Sequence, residues 1–193
     1  MTFIDLHTHN NAPAANTIFN SNCYIDGRSI SIGIHPWHIN NDWQNIFADI
    51  ATHAKADNVV AIGECGFDML KSPATAELQE EIFRAHAQLA ETLCKPLIIH
   101  CVKAVDRLMS LHKDMKPQQA EQLTKAGLYI SLGEKFNPDS ARIIPADRLY
   151  IESDESCAAI ADIYAAVACA KGAYIEALAV QTEQNAAKCG IIL

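Results

Sequence analysis

Two histidines near the N-terminus carry the strongest chemical signal in this sequence. They are His7 and His9, in the segment Asp5-Leu6-His7-Thr8-His9. Alternate side chains of a β-strand point to the same face, so both imidazoles of such a pair can bind one metal ion. A single HxH pair also occurs by chance. Its interpretation as a metal site therefore depends on similar residues at the ends of other strands.

Several other residues of ligand type stand at the carboxyl ends of apolar segments, namely His35, Glu64, His100 and Asp154. A buried carboxylate at such a position needs a metal ion or a cation beside it, because an unpaired buried charge is costly. Histidine nitrogens and carboxylate oxygens together suit zinc, manganese or a similar divalent ion. The set therefore predicts one ion, or a pair of ions bridged by a carboxylate.

Each of these residues also has an explanation that involves no metal. Glu64 could pair with Lys103 or Arg28, and His100 could be a hydrogen-bonded histidine of the core. Glu152 lies deeper in its predicted strand than Asp154, which indicates a supporting carboxylate. The remaining histidines on helical patterns are interpreted as surface or packing residues: His53, His86 and His112.

The elements that must position these residues alternate along the chain between short apolar runs and amphipathic segments. The apolar runs predict seven β-strands, over residues 3–9, 17–23, 29–35, 59–66, 96–101, 128–133 and 149–154. Helical spacing of apolar residues predicts helices over 42–55, 75–93, 105–111, 118–125, 158–171 and 175–187.

This alternation predicts an α/β fold with a parallel sheet, either a (β/α)8 TIM-type barrel or a doubly wound sheet. The ligand-type residues favour the barrel, because a barrel gathers the carboxyl ends of its strands into one ring. A doubly wound sheet would spread them along an edge, and no glycine-rich nucleotide loop follows the first strand. We therefore expect the predicted ligands to converge at the mouth of a barrel.

The length and charge of the chain set broad limits on its function. Its 193 residues, half of them hydrophobic, predict a single domain over residues 1–193 with a full core. The net charge of −8 argues against a surface that binds nucleic acid through many phosphate contacts. A phosphate substrate is still possible, because bound divalent ions supply local positive charge.

The sequence also favours a cytoplasmic protein with no membrane partner. No apolar stretch approaches the roughly 18 to 20 residues of a membrane span, and no signal peptide is recognisable at the N-terminus. The seven cysteines are scattered without a CxxC pair. That pattern is typical of buried free thiols in a reducing compartment.

The motifs taken in order resemble those of the TatD family of metal-dependent hydrolases, a (β/α)8-barrel branch of the amidohydrolase-like enzymes. The matching stretches extend over nearly the whole chain: Asp5–His9, Gly33–Trp37, Gly63–Asp68, Pro96–His100, Gly127–Gly133 and Glu152–Ser156. The resemblance implies the same barrel fold.

The resemblance also implies a set of metal ligands. By it, His7, His9 and Asp154 hold one ion, Glu64 bridges two ions, and His100 belongs to the second ion. The cofactors it implies are one or two divalent ions, either magnesium, manganese or zinc.

The reaction implied by the resemblance is phosphodiester hydrolysis, as in a deoxyribonuclease that acts from DNA ends. His35 would line the substrate pocket. In our interpretation Asp154 is the catalytic residue that accepts the proton of the attacking water. The expected partner is DNA or another phosphodiester.

The chain departs from the family pattern between His100 and Gly127. The family has a further strand there, ending in the last histidine ligand of the second metal. Here no apolar strand is recognisable, and His112 stands in a polar helical context. The missing strand is explained either by a true deletion near Met115-Lys116 or by residues left out of the printed sequence, which we favour because an incomplete barrel exposes unpaired strand edges.

Two other functions remain compatible with the sequence. One is a metal-dependent hydrolase of small amide or ester substrates, which would use the same ligands. The other is a degenerate, non-catalytic metal-binding barrel, which the missing ligand makes plausible. Metal-dependent exonuclease activity separates these alternatives from the main prediction.

Overall fold

The computed structural model describes residues 2–10, 16–111, 123–125 and 127–191. The chain divides into two compact units, one comprising Met1–Ile18 and His112–Leu193 and the other Phe19–Leu111. We call them the terminal unit and the central unit, and each is described by itself. That the whole chain is one domain stays a prediction.

The strands and helices largely match the predicted pattern. The strands are β1 (Asp5–Thr8), β2 (Thr17–Ser21), β3 (Ile30–Ile32), β4 (Val59–Asp68), β5 (Leu97–Val102), β6 (Ile130–Leu132) and β7 (Leu149–Ile151). The α-helices with described bounds are α1 (Trp43–His53), α2 (Ala76–Leu93), α3 (Val105–Leu111), α4 (Pro138–Ile143), α5 (Ile160–Lys171) and α6 (Ile175–Lys188). Single turns of 3-10 helix occupy Pro36–His38 and Ala146–Arg148.

The central unit contains parallel strands that pair in chain order, as a barrel wall requires. β2 pairs with β3, β3 with β4 and β4 with β5, for example Gly66 with His100. The pairing of β4 with β5 shifts register between Ile62 and Cys65. Two residues of β4, Gly63 and Glu64, therefore form a bulge, which redirects the side chain of the glutamate.

Helices α1 and α2 cover this sheet with apolar faces. Ile30, Ile32 and Ile62 of the strands are fully buried together with Ile50 of α1, and Ile82 of α2 is nearly so. Helix α2 begins after a capping threonine whose hydroxyl accepts the third following amide, and it ends at a left-handed residue before Lys-Pro. These local signals explain why its predicted bounds are accurate.

The terminal unit contains the parallel pair of β6 and β7, and an isolated parallel bridge joins Thr8 to Asp154 just beyond β7. Helices α5 and α6 pack on this pair. Tyr164 of α5 is fully buried, and its hydroxyl donates to the carbonyl oxygen of Ile4 at 3.0 Å. The bridge at Thr8 brings the end of β1 beside the loop that follows β7.

The strand predicted over 149–154 ends at Ile151, so Glu152 and Asp154 both follow it and Glu152 is not part of the strand.

Three further expectations about the elements need correction. Strand β4 continues to Asp68, so Glu64 lies within the strand and not at its end. His35 follows β3 by three residues and caps the first 3-10 turn. Helix α4 was not predicted, although Asn137 accepts two amides at its start and Pro138 occupies its first position, which are standard start signals.

The segment that departs from the family pattern belongs to residues 112–122, which lie outside the described residues. Met115, Lys116 and most of the helix predicted over 118–125 therefore stay untested. Whether the chain is truly shortened there or residues are left out of the printed sequence stays a prediction.

No single helix in the described part of the chain is long and apolar enough to cross a membrane. Among the described helices, α5 and α6 taken together, bent by 106°, reach the required length and composition. All seven cysteines lie in the described ranges, and all are free thiols, as predicted. The expectation that they are buried is wrong for most of them, because only Cys65 is buried and four are exposed, namely Cys23, Cys94, Cys157 and Cys169.

Candidate active site

In the terminal unit, His7, His9 and Asp154 lie close together. The Nε2 atoms of His7 and His9 lie 3.9 Å and 3.7 Å from Oδ1 of Asp154. The two imidazole rings are perpendicular, with centroids 5.0 Å apart. His7 is buried, whereas about half of the Asp154 side chain is exposed. We call these three residues the HHD group.

Backbone pairing fixes Asp154 against the first strand. Its N–H donates to the carbonyl of His7 at 2.9 Å, and its own carbonyl accepts the N–H of His9 at 3.0 Å. Asp154 has a φ of 52°, a left-handed conformation that few residues other than glycine adopt and that aspartate tolerates better than most. Such strain persists where the surroundings hold it in place, and it is frequent at functional sites.

A second layer of polar contacts supports this arrangement. The buried carboxylate of Asp5 accepts the N–H of Ser153 at 2.9 Å and its hydroxyl at 2.6 Å. The same hydroxyl lies 2.7 Å from Oγ1 of Thr8. Burial raises the pKa of Asp5, and the hydrogen bonds from Ser153 oppose that rise. Asp5 thus joins β1 to the residue that precedes Asp154.

The chemistry of the HHD group fits a divalent ion. The nitrogen–oxygen distances of 3.7–3.9 Å exceed those of hydrogen bonds. Two ligands that each lie about 2.1 Å from one ion are roughly 3.4 Å apart in tetrahedral geometry. Two imidazole nitrogens and a carboxylate oxygen are a donor set that zinc and manganese accept.

In the central unit, a second group comprises His35, Glu64 and His100, whose ligand-type atoms all lie within 4.8 Å of one another. Nδ1 of His100 lies 2.7 Å from Oε1 of Glu64 and 3.2 Å from Nε2 of His35. Nε2 of His35 is 3.7 Å from Oε2 of the same glutamate. We call these three residues the HEH group.

Asp68 anchors this group from behind. It is nearly fully buried, and its Oδ2 lies 3.2 Å from Nε2 of His100 and accepts the indole N–H of Trp37 at 2.6 Å. Its Oδ1 accepts the backbone N–H groups of Leu70 and Lys71, both at 2.8 Å. Burial by itself would raise the pKa of Asp68. The hydrogen bonds from Trp37, Lys71, Leu70 and His100 outweigh burial and hold that pKa well below its usual range.

The two carboxylates also affect His100. Burial lowers the pKa of His100, but the hydrogen bonds to Glu64 and Asp68, together with their charges, raise it above the usual value. His100 is therefore flanked by an acidic group at each ring nitrogen. Glu64 lies beside Nδ1, and Asp68 lies beside Nε2.

Glycines allow the strands that carry this group to approach closely. Gly63 has a φ of 122°, and a Cβ there would collide with the carbonyl oxygen of Ile98. Gly66 has a φ of 139°, and a Cβ there would collide with the carbonyl oxygen of His100. Only glycine combines this conformation with this proximity, which explains the two glycines around Glu64 in the sequence motif.

His86 holds the backbone of Ile34, the residue that precedes His35. It is fully buried, its Nε2 accepts the N–H of Ile34 at 3.0 Å, and its Nδ1 lies 2.8 Å from the carbonyl oxygen of Ile82. Burial lowers the pKa of His86 to about 4, so the ring is neutral. The prediction that His86 is a packing residue is confirmed, and its packing sets the course of the segment that ends at His35.

A cavity of about 430 Å³ opens beside Asp154 within the terminal unit. The loops after β6 and β7 line it, and carboxylates dominate its polar groups. Its lining includes Glu134, Lys135, Phe136, Glu152, Asp154 and Glu155.

The structure brings His7, His9 and Asp154 together in one unit, and His35, Glu64 and His100 together in the other. Which of them bind metal stays a prediction. Sequence reasoning missed Asp68 and Trp37 as parts of the second group. Both residues end motif stretches that were noted for other residues, Gly33–Trp37 and Gly63–Asp68, and this position was the available signal.

Comparison with known proteins identifies the family. The family model described as TatD related DNase matches residues 4–189. A metal-dependent hydrolase of Buchnera aphidicola is 30% identical over 146 residues, covering 65% of this chain and 55% of the relative. The hydrolase YcfH of Escherichia coli K12 is 28% identical, and the alignment covers 84% of this chain and 74% of YcfH.

The relatives also include an enzyme with a stated activity. The 3′-5′ ssDNA/RNA exonuclease TatD of Klebsiella pneumoniae is 29% identical, covering 77% of this chain and 65% of that enzyme. The present chain thus spans between about half and three quarters of the length of these relatives. The alignment with YcfH extends over 198 residues although this chain has only 193, so it contains gaps in this chain.

Solved structures confirm the predicted fold class. The TatD homologue YjjV of Escherichia coli K12 superimposes with a TM-score of 0.81 at 17% identity, and 97% of each chain is covered. A TatD family hydrolase of Entamoeba histolytica gives a TM-score of 0.75 at 16% identity, again with 97% of each chain covered. The chain therefore has the α/β, TIM-type barrel fold of these proteins.

Proposed function

The chain belongs to the TatD related DNase family of metal-dependent hydrolases, and we propose that it hydrolyses phosphodiester bonds at the ends of single-stranded DNA or RNA. The observation that carries this proposal is the HHD group, in which two histidine nitrogens and a carboxylate oxygen face one another at distances suited to a shared ion. The exonuclease activity named for the Klebsiella relative supports the substrate class.

His7, His9 and Asp154 would hold the ion of the terminal unit, and Glu64 and His100 would hold an ion in the central unit. The assignment of Glu64 as a bridging ligand stays a prediction from the family resemblance. Magnesium, manganese and zinc all suit these donors. When bound, such an ion supplies positive charge to a phosphoryl oxygen and acidifies a water molecule.

The residues of the chain supply orientation and a proton acceptor. The half-exposed carboxylate of Asp154 is accessible to solvent, so it can take the proton of an attacking water. The backbone bonds to His7 and His9 hold it in place, so little reorganisation is needed during the reaction. The cavity beside Asp154 offers space for the group that leaves.

The acidic net charge suits a substrate that is bound through metal and a few local contacts. A net charge of −8 argues against a broad basic surface, so we expect binding to release few counterions. We propose a cytoplasmic location on the strength of the seven free thiols, which a reducing compartment maintains.

Hydrolysis of end-labelled oligonucleotides tests the proposal. We expect a single-stranded 20-mer of DNA or RNA to be shortened from one end in the presence of Mg²⁺ or Mn²⁺, and not in EDTA. The double variant His7→Ala/His9→Ala should be inactive, and His53→Ala, at a partly exposed histidine of α1, should be as active as the wild type.

The outcomes separate the alternatives. Cleavage of p-nitrophenyl acetate or of a small amide with no cleavage of oligonucleotides would favour the small-substrate hydrolase. Metal binding without either activity would favour a non-catalytic barrel. Either result would overturn the proposal of nuclease activity.

A further inference from the structure

The ring of His35 has a defined proton position. Its Nδ1 accepts the backbone N–H of Trp37 at 3.1 Å, in the capping geometry of the Pro36–His38 turn. A ring nitrogen that accepts a hydrogen bond carries a lone pair, so the proton of the neutral imidazole is on the other nitrogen. His35 is therefore the Nε2–H tautomer.

The surroundings hold this tautomer in place on both sides. Pro36 fixes the backbone next to His35, and its carbonyl oxygen accepts the hydroxyl of Ser72 at 2.8 Å. The indole of Trp37 is fixed by its hydrogen bond to Asp68. His86 binds the N–H of Ile34 on the other side. The amide that selects the tautomer thus belongs to a rigid segment.

The protonated nitrogen faces the other two members of the HEH group. Nε2 of His35 lies 3.2 Å from Nδ1 of His100 and 3.7 Å from Oε2 of Glu64. A metal ligand must present a lone pair, and Nε2 of His35 presents a proton. Proximity alone makes His35 resemble a third ligand, but its tautomer makes it a hydrogen-bond donor.

His100 has the opposite arrangement. Its Nδ1 lies 2.7 Å from Oε1 of Glu64 and its Nε2 lies 3.2 Å from Oδ2 of Asp68, so a carboxylate faces each ring nitrogen. A cation that replaced the proton between Nδ1 and Glu64 would be held by both residues, while Asp68 would keep the proton on Nε2. Within the HEH group, the lone pairs for a cation therefore come from Glu64 and His100, and the donor comes from His35.

We propose that His35 is not a metal ligand but donates a hydrogen bond from Nε2–H to an oxygen of the phosphate group that an ion at Glu64 and His100 brings into the site. This inference rests on the proposed phosphodiesterase function. A neutral N–H donor aimed at a phosphoryl oxygen stabilises the negative charge that grows there during hydrolysis. His35 thereby acts on the substrate directly. The N–H of Trp37 acts indirectly, because it sets the tautomer of His35.

Nuclear magnetic resonance of ¹⁵N-histidine protein loaded with ¹¹³Cd²⁺ tests the tautomer and the ligand assignment. We expect His35 to show a protonated Nε2 and a non-protonated Nδ1, with no coupling to cadmium. His100 should couple through Nδ1. A cadmium coupling to Nε2 of His35 would overturn the proposal.

Binding of inorganic phosphate to the Mn²⁺-loaded protein, measured by calorimetry, tests the donor role. We expect His35→Ala to bind phosphate about tenfold more weakly while it retains the same number of manganese ions. His35→Gln, whose amide N–H can occupy the place of Nε2–H, should recover most of this loss. The matched control is His38→Ala, which removes the exposed histidine of the same turn and should change neither quantity.

The outcomes separate this inference from the proposed function. Loss of a manganese ion in His35→Ala, or unchanged phosphate affinity, would overturn the inference even if the protein cleaves nucleic acid. The expected phosphate result in a protein that cleaves no oligonucleotide would support the donor role of His35 and overturn the nuclease proposal.

Discussion

The HHD and HEH groups contain similar residues but are held in different ways. In the HHD group, backbone hydrogen bonds between β1 and the segment around Asp154 fix the ligands, and the carboxylate is half exposed. In the HEH group, contacts between side chains hold the ligands, such as that of His100 with Asp68, which is nearly fully buried. The difference indicates that the first group can exchange protons with solvent, whereas the second is suited to orient charge.

The largest effect should follow from a change in the HHD group. Asp154→Asn keeps the size of the side chain but removes the negative charge and the proton acceptor. We expect oligonucleotide cleavage to fall by more than about 10³-fold. The melting temperature should change by less than about 2 °C, because the side chain is half exposed.

The control for this variant is Asp139→Asn, an exposed carboxylate of α4 that pairs with Arg142 on the surface. It should leave the rate unchanged. A rate for Asp154→Asn within tenfold of the wild type would show that another group accepts the proton. The HHD group would then not be distinguished from the HEH group by proton exchange with solvent.

Backbone crowding in the HEH group provides the second test. Gly66→Ala places a methyl group against the carbonyl of His100 in a conformation that alanine avoids, so we expect a loss of about 4 kcal/mol in the free energy of unfolding. Gly27→Ala is the matched control, since Gly27 also has a positive φ but has open space around it. It should cost about 1 kcal/mol. Urea denaturation measures both, and equal losses would contradict the role of close strand approach.

The sequence predicted much of this molecule because its signals are local. The seven strands and the bounds of α2 follow from apolar runs, a capping threonine and a Lys-Pro stop, all of which act over a few residues. The pair His7 and His9 was recognisable for the same reason. Contacts between distant residues, such as Asp5 with Ser153, carry no comparable local signal.

The tautomer of His35 illustrates what the sequence could not supply. The family resemblance predicted that His35 lines the substrate pocket, but the proton position depends on the amide of Trp37. Likewise, Asp68 lies two residues beyond the strand predicted over 59–66, and only the fold places Trp37 and His100 on the same carboxylate oxygen. Side-chain networks of this kind arise from packing and not from local pattern.

The buried His86 makes the third prediction, which concerns pH. Its pKa is lowered to about 4 in the folded protein from the ordinary 6.5, so the unfolded chain binds the extra proton between these values. The contribution of the neutral ring is fully present above pH 6.5 and is lost as the pH falls towards 4. We expect about 3 kcal/mol of stability to disappear over this range.

His86→Gln isolates this term, because an amide oxygen can still accept the N–H of Ile34 while the group cannot be protonated. The unfolding free energy of the variant should depend less on pH between 6.5 and 4 than that of the wild type. Parallel curves for the two proteins would show that His86 does not cause the pH dependence of stability. The hydrogen bond of His86 to the N–H of Ile34 would then be insensitive to pH in this range.

The smallest expected effect distinguishes the supporting residue of the HEH group from its ligands. Asp68→Asn preserves the shape of the side chain and can still accept from Trp37, but it removes the charge that favours a proton on Nε2 of His100. Partners that orient ligating histidines typically contribute 10- to 100-fold in metal affinity. We therefore expect the weaker of the manganese-binding steps in a calorimetric titration to lose about tenfold in affinity, and the other step to stay unchanged because His100 is not a member of the HHD group. Equal weakening of both steps would mean that Asp68 stabilises the protein as a whole, and unchanged binding would mean that the orientation of His100 is set by Glu64 alone.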